Sequence, residues 1–547
     1  MAVSTANPED LRRWVNRVSY GATPALMEEV SRAGWEGWVE EQLAPDEAAD
    51  EDCQRRIQKA RLQIEYEVEP PKAESGAAKM MMGAKGVRKV KENRPLSLID
   101  KPIEEVFPMY GKDGVPFPEK SRAMEELMMA TMLRAVYSRW QAREMLVEFW
   151  HNHFNVNGDK DESIALSLPS YDRTVIRAHA LGSFRALLEA VAKSAAMLYY
   201  LDGVESRASP ANENFARELF ELHTLGVRHY VNHLHTKWRE VPGALEGRPE
   251  GYIDQDVYEA ARAFKGWSVE NGNEDDEGVK RPLTGKFMLR EAWHDPYQKR
   301  VLATEFDSQR PGMEDGLRVL DLVARHPATA RFIAEKLCRR FVSDAPPETL
   351  VEKAAAEFTA AADAPDQISR VLRVILLSPE FRDAESAKFK RPLEFLASYL
   401  RAVGAEFAPR MDVVYQLEGM GQRLFRWTTP TGHPDVSAYW QGGTFLLRRW
   451  NLPFQFRDDG WKGVVVCHFL THTPPECRTV GQVLDHWSAR LIGKGAPEKI
   501  RGALLQILAD SDEANADAEF NGEDKDRDQR IASCVALLAV TPEFQYR

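Results

Sequence analysis

The densest run of acid–base and metal-ligating side chains in the chain is Glu148-Phe-Trp-His151-Asn-His153-Phe-Asn155. On a continuing helix Glu148 and His151 stand at i, i+3 on one face. Glu-x-x-His from one helix is half of a di-iron carboxylate site, and it also suits a single ion held by imidazole and carboxylate. His153 points elsewhere unless the helix ends there, which Asn157-Gly158 makes reasonable. The structural alternative is a helix terminus whose histidines interact with the last carbonyls.

A second cluster is Asn212-Glu213-Asn214-Phe-Ala-Arg217-Glu218-Leu-Phe-Glu221-Leu-His223-Thr224-Leu-Gly226. On a helix Asn214, Arg217, Glu218 and Glu221 form a polar stripe, and Phe215, Leu219 and Leu222 an apolar one. Its carboxylates and His223 can complete a metal shell begun at His151, or simply form an exposed face with an Arg–Glu pair. Glu218-x-x-Glu221 stands where a ferritin-like site would carry Glu-x-x-His, which weakens that version. His294-Asp295, after Glu291, is a further acid/base candidate on a strand or turn. His229, His233 and His235 lie in a loop-like stretch and read as solvated. Cys467, His468, His472 and Cys477 have a zinc set's residue types without its spacing. Asp524, Asp526 and Asp528 open like an EF-hand loop but lack its Gly and terminal Glu. There is no Gly-x-x-x-x-Gly-Lys-Ser/Thr and no Gly-x-Ser-x-Gly, and Gly419-Met-Gly421 lacks a third glycine.

The elements that must position these residues are mainly helices. Apolar residues recur at helical spacing from Ser121 to about Phe154, and helices are expected at Ser183–Lys193, Asn214–Leu225, Val257–Gly266, Ala328–Phe341, Pro347–Ala362, Ile368–Leu377 and Arg391–Val403. Thr23-Pro24 opens a helix that Gly34 closes, followed by another from Trp35 to Leu43. Strand candidates are few: Lys286–Leu289 and Val464–Cys467. The expected fold is mostly α, a multi-helix globular protein with few short strands. Four segments are read: an N-terminal helical one at 1–66, a flexible insertion or linker at 67–120, a central helical region with the polar clusters at 121–345, and a C-terminal helical region at 346–547. The insertion rests on Pro, Gly and Lys without a period, and Met80–Met82 within it read as loop. Ile375–Arg382 and Leu537–Arg547 both run a helix into Ser/Thr-Pro-Glu-Phe, a capping device used twice.

Composition bounds the function classes. The 547 residues are 44% apolar and 29% charged, which is globular and not disordered composition. A net charge of −12 argues against a broad nucleic-acid or anionic-membrane footprint. Five cysteines are too few for a disulfide framework, and no apolar run nears the ~20 residues of a membrane span. The first residues show no apolar export segment, so the chain as written is expected to be cytoplasmic.

Phe149–Phe154 (FWHNHF), Ala196–Asp202 (AMLYYLD), Asn212–Val227 (NENFARELFELHTLGV), Asp256–Trp267 (DVYEAARAFKGW) and His326–Leu337 (HPATARFIAEKL), with NRVSYGATP near the start and TPEFQYR at the end, resemble the bacterial "domain of unknown function 1800" family. The resemblance runs from about Leu11 to Arg547. It implies a mostly helical fold and a bacterial source, without a settled activity or catalytic residues. Similar proteins are often exported and encoded beside the "domain of unknown function 1501" family, which makes a member of that family a candidate partner. This chain departs from the pattern in its missing export segment and in a long insertion between Val227 and Tyr252.

The residues therefore point to a metal-dependent enzyme, a hydrolase acting on a small-molecule or polymer substrate. Glu148, His151, His153, Glu218 and Glu221 are the candidate ligands for a divalent Zn, Mn or Fe ion. Arg217 is the candidate anion binder, and Glu213, His223, His294 and Asp295 are acid/base or positioning candidates. A redox metal on the same ligands would make an oxidoreductase. The alternative from another class is a non-catalytic helical scaffold or partner-binding subunit, its polar residues locking helices together.

Overall fold

The computed structural model describes residues 7–68, 88–207, 211–274, 278–384, 388–456, 461, 463–513 and 515–547. Helices dominate, and the named strands form two-stranded antiparallel ribbons. Local chemistry starts and stops them. Thr23 accepts a hydrogen bond from the Leu26 amide at 3.2 Å and Pro24 opens the Pro24–Leu43 helix. Gly34, at φ 72°, then breaks that helix, as expected. Ser378 caps Pro379–Asp383 by accepting from the Phe381 amide, whereas the Thr541 hydroxyl at the related motif donates to the Leu538 carbonyl.

Periodicity merged two helices. Phe117–Tyr137 and Gln141–His153 are separated at Ser138, whose hydroxyl takes the Trp140 amide at 3.1 Å. The second is the hub of the fold. Met145, Leu146, Phe149 and Trp150 are buried on it, and it packs against Pro24–Leu43, Phe117–Tyr137 and the Tyr171–Arg177 turn. The Trp150 indole N–H is satisfied by the Ala180 carbonyl at 2.9 Å.

Two elements near the polar residues are π-helical: Tyr171–Arg177, which follows Pro169, and Leu219–His223. Only Asn214–Glu218 of the expected Asn214–Leu225 helix is α. Wide turns of this kind recur at functional sites.

The expected flexible stretch at 67–120 is largely built structure where it is described. Arg61–Val68 pairs with Arg88–Pro95 from Arg61↔Pro95 to Val68↔Arg88. Leu62, Ile64, Leu96, Ile99 and Phe107 are buried, so the ribbon and the Ile103–Val106 turn join the core. Hydrophobic burial at alternate positions overrode the Lys-rich composition. The central part of that expectation, with Met80–Met82, lies outside the described residues. A contiguous apolar cluster runs from Leu11 to Phe544 and draws on all four segments read from the sequence, so they share one core.

Candidate functional site

Side chains two residues apart on a helix point about 200° apart. The helix continues through His153, so the two imidazoles of the motif face opposite ways. Glu144, Glu148 and His151 share one stripe of the helix, and they line a cavity of about 40 Å³ together with Asn155, Gln422 and His433. At ~10–15 Å³ per water centre this holds a few waters.

On this side His151 Nε2–H donates to Asp172 Oδ1 at 2.9 Å, and Nδ1 makes no hydrogen bond among the described residues. Asp172 also meets Arg134 at 3.3 Å and Arg177 at 3.5 Å, and Arg177 forks onto Glu144 at 2.6 and 3.0 Å. Burial opposes ionisation of Asp172. Arg177, the His151 hydrogen bond and Arg134 outweigh it and hold the carboxyl well below its usual range. The pair is therefore an anionic carboxylate fixing one tautomer of an imidazole. His151 lies edge-on to Tyr171 and Phe425, at 5.7 and 5.0 Å between ring centres.

Glu148 is committed elsewhere. Arg391 reaches it at 2.8 and 3.1 Å, Arg340 at 3.1 Å and Gln422 at 3.3 Å. Arg340 and Arg391 continue to Glu394 and Asp435, making a buried network of alternating charge. Asn152 and Asn155 pin the 427–433 loop. Asn152 donates to the His433 carbonyl at 2.9 Å and accepts from its amide at 2.7 Å, and Asn155 donates to the carbonyls of Trp427 and Thr429 at 3.0 and 2.8 Å.

On the opposite face His153 Nε2–H donates to the His223 carbonyl at 3.1 Å, and its Nδ1 accepts from Lys336 Nζ at 2.8 Å. His153 and His223 are buried, and Lys336 is half-buried. Burial first, then Lys336, pushes His153 well below its ordinary value and His223 to about 3. Burial lowers Lys336 to about 8, with Asp435 opposing. Neither ring nitrogen of His223 makes a hydrogen bond among the described residues.

The two sequence clusters thus touch through His153 and the His223 carbonyl, while no residue of 212–223 lines the His151 cavity. Arg217 pairs with Glu213 at 2.9 Å and lies farther from Glu221, at 3.7 Å. Glu218 makes no hydrogen bond or ion pair among the described residues. Burial and Glu221 raise it to about 7, against Arg217. Glu218 is not among the residues that line the cavity. Asp295 is a structural anchor, held by Arg262 at 2.9 Å twice and by Lys265 at 3.2 Å. His294 is buried near Asp315, at 3.5 Å.

The five expected ligands do not fit one ion in this arrangement. His151 and His153 diverge, Glu148 is saturated by guanidinium groups, and Glu218 and Glu221 lie on the other segment. Among the described residues no group of three or more His, Cys, Asp or Glu side chains is placed to hold a metal. Asp172, Lys336, Arg340, Arg391 and His433 were not singled out from the sequence. Arg391-Pro-Leu-Glu394 does carry a helix-start signal, with the Glu394 carboxylate accepting from the Arg391 amide, and Gly432-His433 sits between two prolines. Nothing local marks Asp172 or Lys336.

A family model described as "Protein of unknown function (DUF1800)" matches residues 13–546. No curated protein and no solved structure matches the chain.

Proposed function

The chain belongs to the DUF1800 family, which carries no assigned activity, and we propose that it is a hydrolase using His151 as general base. The observation that carries this reading is the His151–Asp172 pair beside a cavity that holds a few waters, with no partner for Nδ1 among the described residues. In this reading a water in the cavity gives its proton to His151 Nδ1 as it attacks the substrate. Asp172 holds the ring in that tautomer and stabilises the imidazolium formed, and its own ionised state is secured by Arg134 and Arg177. The 427–433 loop, clamped by Asn152 and Asn155, walls the cavity and positions what enters it.

A non-catalytic scaffold is the second reading, favoured by the Glu148–Arg340–Arg391–Glu394 network, in which buried opposite charges pair across helices. Assay of the purified chain on a panel of ester, amide, phosphoester and glycoside substrates separates the two. His151→Gln and Asp172→Asn are each expected to remove at least ~100-fold of the activity, in line with general-base catalysis, while circular dichroism stays unchanged. Turnover that survives in His151→Gln would sink the base assignment, and a chain inert on the whole panel supports the scaffold. Elemental analysis belongs in the same experiment. One Zn, Mn or Fe per chain, lost in His151→Ala, would replace this mechanism with the metal-dependent one.

A further inference from the structure

We infer that the cleft between the 227–252 segment and the helices Gly312–Ala324 and Pro327–Phe341 binds a small amphipathic anion, a medium-chain alkyl carboxylate. The cleft encloses about 830 Å³, within the range of roughly 300–1,000 Å³ that small-ligand sites occupy. Its apolar lining includes Leu302, Leu322, Pro249 and Pro327, which gives an alkyl chain a place to leave water.

The charge on its rim selects the headgroup. Arg318 is half-buried, makes no side-chain hydrogen bond or ion pair among the described residues, and lies over the face of Phe306, 4.7 Å from the ring centre. Arg248 is exposed and makes no ion pair among the described residues. The remaining cation of the lining, Arg325, is already paired with Asp363 at 2.5 Å, and the acid Asp321 with Arg185 at 2.5 Å. Glu250 is the other carboxylate of the lining, exposed and without an ion pair among the described residues, so the two open arginines outnumber it. A guanidinium stacked on an aromatic ring and left without an ion pair suits a carboxylate, which it binds through two parallel N–H donors.

The wall is built in advance. His326 Nε2–H donates to the Pro249 carbonyl at 2.8 Å while its Nδ1 accepts from the Ala328 amide at 3.1 Å. His229 Nδ1–H donates to the Glu250 carbonyl at 2.8 Å. A Cβ on Gly251 would lie 2.3 Å from the His229 carbonyl oxygen, so this position admits glycine alone without a shift of backbone. Binding therefore need not order the insertion first. This assigns the insertion a role that is independent of the His151 cavity.

Titration calorimetry of the full chain with decanoate, kept below its micelle concentration, tests the inference. The expected result is saturable binding at one site per chain. Arg318→Met and Arg248→Met are each expected to weaken it by about tenfold, the size of one charge-assisted hydrogen bond. Decanol should bind correspondingly less well, and Leu322→Asp should abolish binding without changing the circular dichroism. No saturable binding of decanoate overturns the proposal. So does decanol binding as tightly as decanoate, or both arginine variants remaining within twofold of the parent. Should Arg318→Met fail to fold, exposed Arg248 and the decanol comparison decide.

Discussion

Lys336 shows what burial does to a single charged group. Its ammonium sits against the buried His153 Nδ1 at 2.8 Å, and burial has brought it from 10.5 to about 8. Because the folded value lies below the unfolded one, the unfolded chain binds more protons between about pH 8 and 10.5, and the contribution of this group to stability rises across that window. Below it, the full cost of keeping the buried amine charged is present. Lys336→Met removes the dependence, so thermal unfolding at the two ends of the window should find the parent gaining on the variant as pH rises. A constant gap between the two would contradict it. The sequence marks His153 as a candidate metal ligand and gives no sign of Lys336, the partner that its Nδ1 meets. An amine 183 positions away has no local signature.

The element that most constrains the candidate site is the 427–433 loop. Gly432 adopts φ +68°, and a Cβ there would lie 2.1 Å from the Asn152 carbonyl oxygen. Gly432→Ala therefore meets both a left-handed backbone and a backbone collision, and it should destabilise by more than the ~1 kcal/mol that conformation alone costs. The expected readout is a lowered unfolding temperature with faster hydrogen exchange at the His433 amide, which Asn152 accepts at 2.7 Å. Unchanged exchange would mean that the loop is held by something other than Asn152. At this scale the sequence was informative about helices, whose caps and apolar periods are written locally. It was silent on the π turns at Tyr171–Arg177 and Leu219–His223, because the extra residue is imposed by packing and not by composition.

The whole molecule is tied together by charge as well as by its core. Arg547 reaches Glu394 at 3.0 Å, the Arg17 carbonyl at 2.8 Å and the Arg340 carbonyl at 2.9 Å, joining the N-terminal helix Pro8–Val18, Pro327–Phe341 and Pro392–Val403. Burial, the largest influence, lowers the Arg547 guanidinium, which Glu394 offsets. Arg547→Ala leaves three acceptors with one donor group fewer, and it should cost about 3–5 kcal/mol, the penalty for breaking a buried pair. Denaturant unfolding followed by fluorescence is expected to show the loss across the whole transition; a loss confined to fraying of the last turn would place Arg547 outside the shared core.

The sequence alone determined the helical class, most helix positions and the family, since capping residues, apolar periods and motifs are local properties of the chain. It also determined which segments carry unusual polar density, Glu148–Asn155 and Asn212–His223. Only the tertiary structure decided which partners those residues meet. That His151 meets Asp172, that Glu148 is clamped between Arg340 and Arg391, and that Arg217 turns to Glu213 depend on which side chains the packed helices bring within 3 Å or so. Those pairings arise between residues far apart in the chain. The helical period says which face a residue occupies and nothing about what lies opposite.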